Sequence, residues 1–359
     1  MSSIFVANFI VGEKEGIYKK IYAEAKVLKQ MYGECYLVLK TKKGCKVISV
    51  GDGSQYEFGI SVLHKTKELV KKLHLELIYV RAMIPNPVLI NVLRIAKKNK
   101  MRIIYEIPTY PYFAEMYRMA KKKYRALIKI MLDVIYNPII FHYAERILIV
   151  KSNSQKRIHK KMVEMCNGLN VDDVESKVYA TPKALNELNL VAVGTIYPYH
   201  GYDRLIEGMR LCNEKIDGID LKLHFIGASE TMNKLEELSK KYQLKHVFFY
   251  GEKTTKELNE MYKDFDIGVG CLGLHRKNAD IDTSLKVIEY YCRGVPVISS
   301  AQCLEERYTL FVSADDSPIN MKEVVDFYRG VVDSNEYKDL SVKSKLKYSW
   351  EAVLGKALM

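Results

Sequence analysis

The sequence lacks the residue patterns that mark several large classes of protein. Its seven cysteines lie singly, without the paired spacing of a zinc site or a disulfide framework, so we expect reduced thiols and a cytosolic protein. No uninterrupted apolar run reaches the roughly 18 residues that a membrane-spanning helix needs. The first ten residues lack the basic flank and the cleavage site of a signal peptide. Serine-hydrolase, Walker and zinc-binding signatures are also missing.

Charge is distributed unevenly along the chain. Residues 1–161 carry a net charge of +19, whereas the remaining residues carry −6. This asymmetry favours two domains that meet different partners. Because no known DNA- or RNA-binding motif is present, we expect no nucleic acid partner. Anionic lipid or a lipid pyrophosphate would explain the basic half equally well.

Strand and helix patterns alternate through both halves. Near-continuous apolar runs such as residues 77–80 and 103–105 are typical of parallel strands buried on both faces. Helical patterns such as residues 17–31 and 202–212 separate them, which predicts an α/β protein with doubly wound sheets. Turn-forming residues at 167–170, where the charge changes sign, place a linker there. We therefore predict domains at 1–165 and 166–346.

The most informative stretch is residues 282–300. Asp282 or Thr283 can cap a helix of about ten residues, Gly294 suits the position that ends it, and a β-branched strand follows. Ser284 and the free amides at the helix start are suited to binding phosphate.

The polar side of that helix carries three charged residues. Lys286, Glu289 and Arg293 lie opposite the apolar stripe, and Lys286 would add a positive charge beside a bound phosphate. Glu289, about two turns in, could hold a diol. A solvated ladder of charges is the alternative interpretation of the same spacing.

Residues 284–290, with residues 293–298, resemble the donor-site helix of GT-B glycosyltransferases of the retaining family 4 type, including bacterial capsule and exopolysaccharide enzymes. The resemblance implies the GT-B fold: two doubly wound, Rossmann-like domains with a donor cleft between them. It also implies that Glu289 binds the ribose of a sugar nucleotide, and that the enzyme needs no cofactor. The family's second glutamate is replaced here by Ile281. Residues 348–351 resemble the terminal segment that crosses back, so residues 347–359 are expected to pack on the first domain.

The loop from Gly194 to Arg204 also resembles the family. The family commonly places an arginine and a lysine on the diphosphate, and Thr195 and His200 occupy those positions here, so Arg204 and Lys286 are expected to supply the charge. His200 as an ordinary loop histidine is the alternative. The predicted donor- and nucleotide-binding residues are Gly12, Gly16, Gly194, Thr195, Arg204, Gly227, Gly251, Lys253, Asp282, Thr283, Ser284, Leu285 and Glu289.

Two glycines at the first strand–helix junction belong to that set on weaker grounds. Gly12 and Gly16 would let a backbone approach a ligand closely, and an ordinary turn is an equally good interpretation. In the resembled enzymes this loop faces the donor phosphates.

A polar and aromatic loop follows the strand at 101–105, where ligands of parallel sheets bind. The run 106–112 resembles one in bacterial polysaccharide glycosyltransferases, although tyrosines that simply pack in a rigid loop would explain it too. The predicted acceptor-side residues are Thr109, Tyr110 and Tyr112, and the predicted catalytic residues are Glu106, His200 and Lys286.

The function implied by the resemblance is sugar transfer, with retention, from a nucleotide sugar such as a UDP-sugar. The expected acceptor is a polysaccharide or a lipid-linked glycan, such as a polyprenyl-pyrophosphate oligosaccharide for capsule, exopolysaccharide or cell-surface glycan. The enzyme would be a metal-independent hexosyltransferase, because the Asp-Ile-Asp run at 280–282 lies at a helix start, where acids are favoured in any case. The basic amphipathic region 114–144 predicts a peripheral position on the inner face of the cell membrane, and an ordinary solvated face is the alternative interpretation of its charge. A sugar-nucleotide 2-epimerase, or an inactive GT-B partner or chaperone of a glycosyltransferase, are the alternatives.

Overall fold

The computed structural model describes residues 2–10, 12, 16–120, 122–154, 159–177, 185–334 and 339–359. The chain divides into two compact units. The first unit comprises residues 1–151, 155–166 and 350–359, and the second comprises residues 152–154 and 167–349. Each unit is built on one mainly parallel sheet with an apolar core on each face, which confirms the predicted α/β fold class.

The first unit contains the basic half of the chain. Its strands are β1 (Ser2–Ala7), β2 (Glu34–Lys40), β3 (Cys45–Ser49), β4 (Gln55–Phe58), β5 (Leu77–Arg81), β6 (Arg102–Tyr110), β7 (Arg146–Lys151) and β8 (Met162–Glu164). Its helices are α1 (Gly16–Tyr32), α2 (Val62–Lys72), α3 (Pro87–Lys98), α4 (Phe113–Met119) and α5 (Lys123–Tyr143), with a terminal helix, Trp350–Leu358. The region predicted as one helical stretch at 114–144 therefore forms two helices.

The sheet of the first unit is doubly wound. Its strand order is β4-β3-β2-β1-β5-β6-β7-β8, and all neighbours from β2 to β8 are parallel. Among the described strands of this sheet, only the β2–β3 and β3–β4 pairs are antiparallel. The chain reverses its winding between β1 and β5, and ligands of such sheets bind beyond the carboxyl ends of strands near that point.

The second unit has the same plan. Its strands are β9 (Glu187–Val193), β10 (Lys215–Ile216), β11 (Ile219–Ile226), β12 (Val247–Phe249), β13 (Ile267–Val269), β14 (Val297–Ser299) and β15 (Thr309–Phe311). Its helices are α6 (Tyr202–Leu211), α7 (Glu230–Lys241), α8 (Thr255–Met261), α9 (Leu285–Arg293), α10 (Met321–Asp333) and α11 (Leu340–Tyr348), and the terminal helix is then α12. The strand order is β10-β11-β9-β13-β14-β15, with β12 parallel to β11.

Local signals in the sequence explain where several helices begin. Asn86 accepts hydrogen bonds from the Val88 and Leu89 amides at 3.0 and 3.1 Å, and Pro87 takes the first helical position of α3.

At the end of the chain, α12 packs against α1, and Trp350 is buried in the apolar core of the first unit. Its ring lies 5.4 Å from the Lys20 ammonium.

Four charged side chains form a buried cluster in the first unit. Nη1 of Arg81 lies 2.7 and 2.9 Å from the two carboxylate oxygens of Glu106, and Lys20 Nζ lies 3.2 Å from Glu106. Glu24 lies 3.7 Å from both cations, and neither of its carboxylate oxygens has a hydrogen-bond partner. Burial and the nearby Glu106 raise the pKa of Glu24 to about 8. Although burial opposes it, the two cations hold the pKa of Glu106 below its ordinary value.

This cluster makes the stability of the first unit depend on pH. Between pH 4.5 and about 8 the native protein holds a proton on Glu24 that the unfolded chain has released. The contribution of Glu24 to the unfolding free energy is therefore complete below pH 4.5. It falls as the pH rises from 4.5 to about 8, by up to about 1.4 kcal/mol per pH unit. We predict that Glu24→Gln removes this pH dependence, as measured by calorimetric unfolding from pH 5 to 8. Glu236→Gln, at an exposed site on α7, is the control, and an unchanged pH profile in Glu24→Gln would contradict the assignment.

Candidate functional site

Three predicted glycines lie side by side at the carboxyl edge of the second sheet. The Gly194 amide donates to the Ile226 carbonyl at 2.8 Å, and the Gly227 amide donates to the Gly251 carbonyl at 2.8 Å. A Cβ atom on Gly227, whose φ is +137°, would lie 2.2 Å from the Gly194 carbonyl oxygen. This edge is therefore a surface of backbone atoms, with the exposed Thr195 beside it.

The start of α9 is fixed by Asp282. One carboxylate oxygen accepts from the Ser284 amide at 3.0 Å, and the other accepts from the Cys271 amide at 2.9 Å. Because Asp282 is buried and both of its oxygens serve the backbone, the structure gives it a positioning role in place of direct contact with a ligand. Ser284 occupies the N-cap position, and its hydroxyl oxygen has no hydrogen-bond partner. The first turn of α9 thus combines a buried hydroxyl that has no hydrogen-bond partner with backbone amides that can bind an anion.

Lys286 and His200 meet at Tyr202. Lys286 Nζ donates to the Tyr202 hydroxyl at 2.8 Å, which donates to the Val269 carbonyl at 3.1 Å. The His200 ring stacks on Tyr202 with centroids 5.5 Å apart. Burial, with the charges of Lys286 and Lys277, lowers the pKa of His200 to about 2, so its imidazole is neutral at physiological pH.

The tautomer of His200 follows from its backbone contact. Its Nδ1 accepts a hydrogen bond from the Tyr197 amide at 3.0 Å, so in the neutral ring the proton sits on Nε2. His200 can therefore donate a hydrogen bond without carrying a charge. Lys277, from the turn 274–277, places its ammonium 4.3 Å from the Tyr199 ring and so brings a cation to the loop of His200 that sequence reasoning missed.

Glu289 is oriented by Arg293, one turn further along α9. Its carboxylate accepts from Arg293 at 2.9 and 2.8 Å. The Arg293 guanidinium is buried, stacks over the Tyr262 ring at 4.0 Å and donates to the Asn259 side chain at 2.8 Å. Since the Glu289 side chain is 23% exposed, it presents part of a fixed carboxylate to solvent. The charge ladder expected as an alternative is thus only partly solvated.

The remaining residues predicted on the donor side lie in different parts of the structure. Lys253 pairs with Glu257 at 3.1 Å, within the capping box of α8. The Thr283 carbonyl accepts from Asn167 at 2.9 Å, and Leu285 is half-buried at the first position of α9. In the first unit, Gly12 is exposed and Gly16 begins α1, whereas the rest of the loop between them, residues 13–15, lies outside the described residues.

Two predicted roles need correction. Glu106 has no exposed surface and is held by Arg81 and Lys20, so it cannot touch a substrate in this structure and has a structural role. Arg204 is 2% exposed, and its guanidinium donates to the carbonyls of Ser317, at 2.7 Å, and Leu272. Because these contacts use its donors inside the protein, we leave Arg204 out of the phosphate site. Neither burial could be predicted from the sequence, since charged side chains are rarely fully buried.

The predicted acceptor residues lie at a cavity within the first unit. The cavity has a volume of about 570 Å³ and opens where β5 and β6 end, with Thr109 and Tyr112 in its wall. Asp133, from α5, also lines it and is buried, and burial raises the pKa of that carboxyl. Tyr110 packs against the apolar core instead. Sequence reasoning missed Asp133, whose signal is an acid inside an otherwise apolar helical segment.

A second cavity in the first unit adjoins this one. Its volume is about 420 Å³, and it shares Asn8 and Lys40 with the first cavity. The loop residues Thr41 and Lys42 and the first residues of α2 complete its wall, which is more polar than that of the larger cavity. Together the two cavities combine lysines with a buried carboxylate, a mixture that suits a phosphorylated sugar.

The structural role of Arg204 leads to a stability prediction. Arg204→Met would leave the buried carbonyl of Leu272 without its donor, at a cost of about 1–3 kcal/mol, and would remove the hydrogen bond to the exposed Ser317. We expect a loss of about 1–3 kcal/mol in the unfolding free energy of the second unit, measured by thermal or urea unfolding. Arg210→Met, at a partly exposed position on the same helix, is the matched control. Equal stabilities of the two variants would contradict the structural role.

Comparison with known proteins gives one family match and several structural matches. Residues 174–308 match the family model described as "Glycosyl transferases group 1". The whole chain is similar in structure to the lipopolysaccharide outer core galactosyltransferase WaaB, with a TM-score of 0.61 and 13% sequence identity over 100% of this chain and 99% of that one. The catalytic domain of starch synthase IV from Arabidopsis thaliana, bound to ADP and acarbose, matches with a TM-score of 0.59 and 10% identity over 99% and 97%. Sucrose-phosphate synthase from Thermosynechococcus elongatus matches with a TM-score of 0.57 and 14% identity over 99% and 96%.

The structural matches identify the fold, whereas the family match identifies one segment of the sequence. No curated protein matches the sequence, and the described residues contain no group of three or more histidine, cysteine, aspartate or glutamate side chains able to hold a metal. At 10–14% identity the structural matches show the fold alone. The chain therefore has the GT-B fold, and within its second unit residues 174–308 match the group 1 glycosyl transferases.

Proposed function

We propose that the protein transfers a sugar from a nucleotide sugar, with a UDP-sugar as the first candidate, to a hydroxyl of a glycan acceptor, with retention at the anomeric carbon. The observation that carries the proposal is the arrangement around the start of α9. There Ser284 and the first backbone amides adjoin Lys286, and Glu289 lies one turn further along in a fixed orientation. This arrangement falls within the segment that matches the group 1 glycosyl transferases.

Each part of the donor would contact a different group of residues in the second unit. Its diphosphate would accept hydrogen bonds from Ser284 and the α9 amides, and the carboxylate of Glu289 would accept them from the ribose hydroxyls. The backbone edge formed by Gly194, Gly227 and Gly251 leaves room for a nucleoside, since no side chain projects from these positions.

Catalysis would depend on stabilising the leaving group. The acceptor hydroxyl attacks the anomeric carbon as the bond to the diphosphate oxygen breaks, and the hydroxyl proton passes to that oxygen. The negative charge that develops there is met by the α9 amides and by Lys286. The neutral His200 would donate a hydrogen bond through Nε2 without adding charge. Every group in this scheme is a side chain or backbone amide, so we propose that the reaction needs no metal or other cofactor.

The acceptor would bind to the first unit, at the cavity that contains Thr109 and Tyr112. We propose a lipid-linked glycan, such as a polyprenyl-pyrophosphate oligosaccharide of capsule, exopolysaccharide or cell-surface glycan synthesis. The net charge of +19 over residues 1–161 favours an anionic lipid surface as the site of this encounter. The protein would then be cytoplasmic and peripheral on the inner face of the cell membrane.

The donor site is tested by calorimetric titration with UDP, GDP, ADP and CMP. We expect micromolar binding of one nucleotide and a Kd at least about 10-fold higher in Glu289→Ala, because a charge-assisted hydrogen bond of roughly 1.5–3 kcal/mol is lost. Glu236→Ala, at an exposed helix position, should bind as the wild type does.

Glu289→Ala also removes a partner of the buried Arg293, so a conservative variant is needed. Glu289→Gln keeps one oxygen for Arg293 while removing the charge, and unfolding measurements on both variants separate loss of fold from loss of binding. An unchanged Kd in both variants would remove Glu289 from the site. Binding of none of the four nucleotides by the wild type would instead favour the inactive GT-B partner over the enzyme.

A further inference from the structure

Helix α5 of the first unit buries its one acidic residue, Asp133, and exposes most of its large apolar residues to solvent. Its fully buried residues are Ala126, Asp133 and Ile140, spaced by seven, which defines the side that packs against α3 and α4. An amphipathic helix of a globular protein ordinarily turns its apolar stripe inward. Here the inward side carries a carboxylate between Ala126 and Ile140, and a second, larger apolar stripe faces outward.

The inward side of α5 forms a wall of the larger cavity. Lys129 and Asp133 line this cavity at i and i+4, and Asn137, one turn further, donates to the Tyr112 hydroxyl at 3.3 Å. Lys40 contributes a second ammonium group from the end of β2, and Met83 and Met116 contribute apolar surface. These donors and acceptors suit a sugar phosphate, whose hydroxyls bind carboxylates and whose phosphate binds lysine.

The outward side of α5 is apolar over about 18 Å, the rise of the twelve residues that separate its ends. Its exposed side chains are Leu127, Ile128, Met131, Val134, Ile135 and Ile139, each at least 39% exposed. Monomeric soluble proteins rarely leave so continuous an apolar stripe in water. This stripe therefore indicates a surface that becomes covered.

The charged residues near the outward stripe of α5 indicate what covers that stripe. Arg118, Lys122, Lys123 and Arg125 lie in or just before the first turn of α5, and Asp133, the helix's one acidic residue, is buried on the other side. Apolar side chains flanked by cations, without an exposed carboxylate, match the interfacial zone of an anionic bilayer.

We propose that α5 lies in the surface of an anionic lipid bilayer, with its outward stripe toward the acyl chains, and that the cavity behind it receives the sugar phosphate head of an acceptor held in the same bilayer. The second part rests on the proposed function, whereas the first part does not. The helix has the length and composition to cross a membrane, with 17% of its apolar window buried. Asp133, Asn137 and Ile140 nevertheless pack on the first unit, so α5 lies along the bilayer and does not span it.

The bilayer contact is tested by co-sedimentation with vesicles of phosphatidylcholine alone and with phosphatidylglycerol added at one part in three. We expect binding to the anionic vesicles and at least a 10-fold weaker association in the double variant Met131→Gln/Ile135→Gln. The matched control is Val342→Gln/Leu346→Gln, which changes two exposed apolar residues with the same spacing on α11 of the second unit. In Ile135→Trp, the fluorescence should be quenched by brominated lipid, while the buried Trp350 should not respond.

Two results would overturn the bilayer contact. One is equal vesicle binding by the wild type and the α5 double variant. The other is a dimer in light scattering that the same double variant makes monomeric, because a second copy would then cover the stripe. No nucleotide is needed for these measurements, so their outcome is independent of the donor titration.

The cavity is tested with glucose joined to farnesol through pyrophosphate, in lipid nanodiscs, and with glucose 1-phosphate as the head group alone. We expect the probe to shift the methyl resonances of Met83 and Met116 in protein labelled at methionine methyl groups, and Asp133→Asn to weaken that binding at least 10-fold. Asp333→Asn, at an exposed position on α10, is the control. The Asp133 variant should keep wild-type affinity for nucleotide and for anionic vesicles.

These readouts separate a binding role of Asp133 from a structural one, because a misfolded first unit would also lose vesicle binding. Resonance shifts confined to Met131 on the outward side, or an unchanged affinity in Asp133→Asn, would overturn the assignment of the cavity. Binding of glucose 1-phosphate with the same affinity as the lipid probe would overturn the claim that the acceptor comes from the bilayer.

Discussion

The candidate donor site depends on the two hydrogen bonds of Asp282. They tie the start of α9 to the backbone just after β13, and the Asp282 amide in turn donates to the Gln302 carbonyl at 2.9 Å. The space there is tight, since a Cβ atom on Gly270 would lie 3.3 Å from the Asp282 carboxylate. The N-terminus of the helix is therefore held against the sheet edge, and the direction of α9 determines where Lys286 and Glu289 project.

Both units contain buried arginines, and different groups balance the charge of each one. Arg81 is neutralised by Glu106, with a second carboxylate close by, whereas Arg204 donates to two backbone carbonyls and lies 3.5 Å from the exposed Asp315. Arg293 combines a carboxylate with an aromatic face. A buried charge without such partners is strongly destabilising. These arginines therefore fix loops and helices around the sites, and Arg293 has the additional effect of orienting Glu289.

The fold could be predicted from the sequence, but only part of the candidate site could. Alternating buried strands and amphipathic helices repeat over the whole chain, and each repeat adds to the same conclusion. The helix 285–293, its cap and its glycine stop are local features, and the structure confirms them. The structural roles of Glu106 and Arg204 depend on contacts with residues distant in sequence, such as Lys20 and Ser317. No local sequence pattern reveals such contacts.

The orientation of α5 could not be read from the sequence for a related reason. A helical period identifies two sides of a helix, and it does not say which side faces the protein. The sequence drew attention to the basic residues of this region, whose attraction to lipid is screened by salt within about 8 Å. The structure adds the outward apolar stripe, whose transfer from water is much less sensitive to salt. A surface that combines the two would associate with a bilayer in a defined orientation, with Asp133 on the opposite side of the helix, at the cavity.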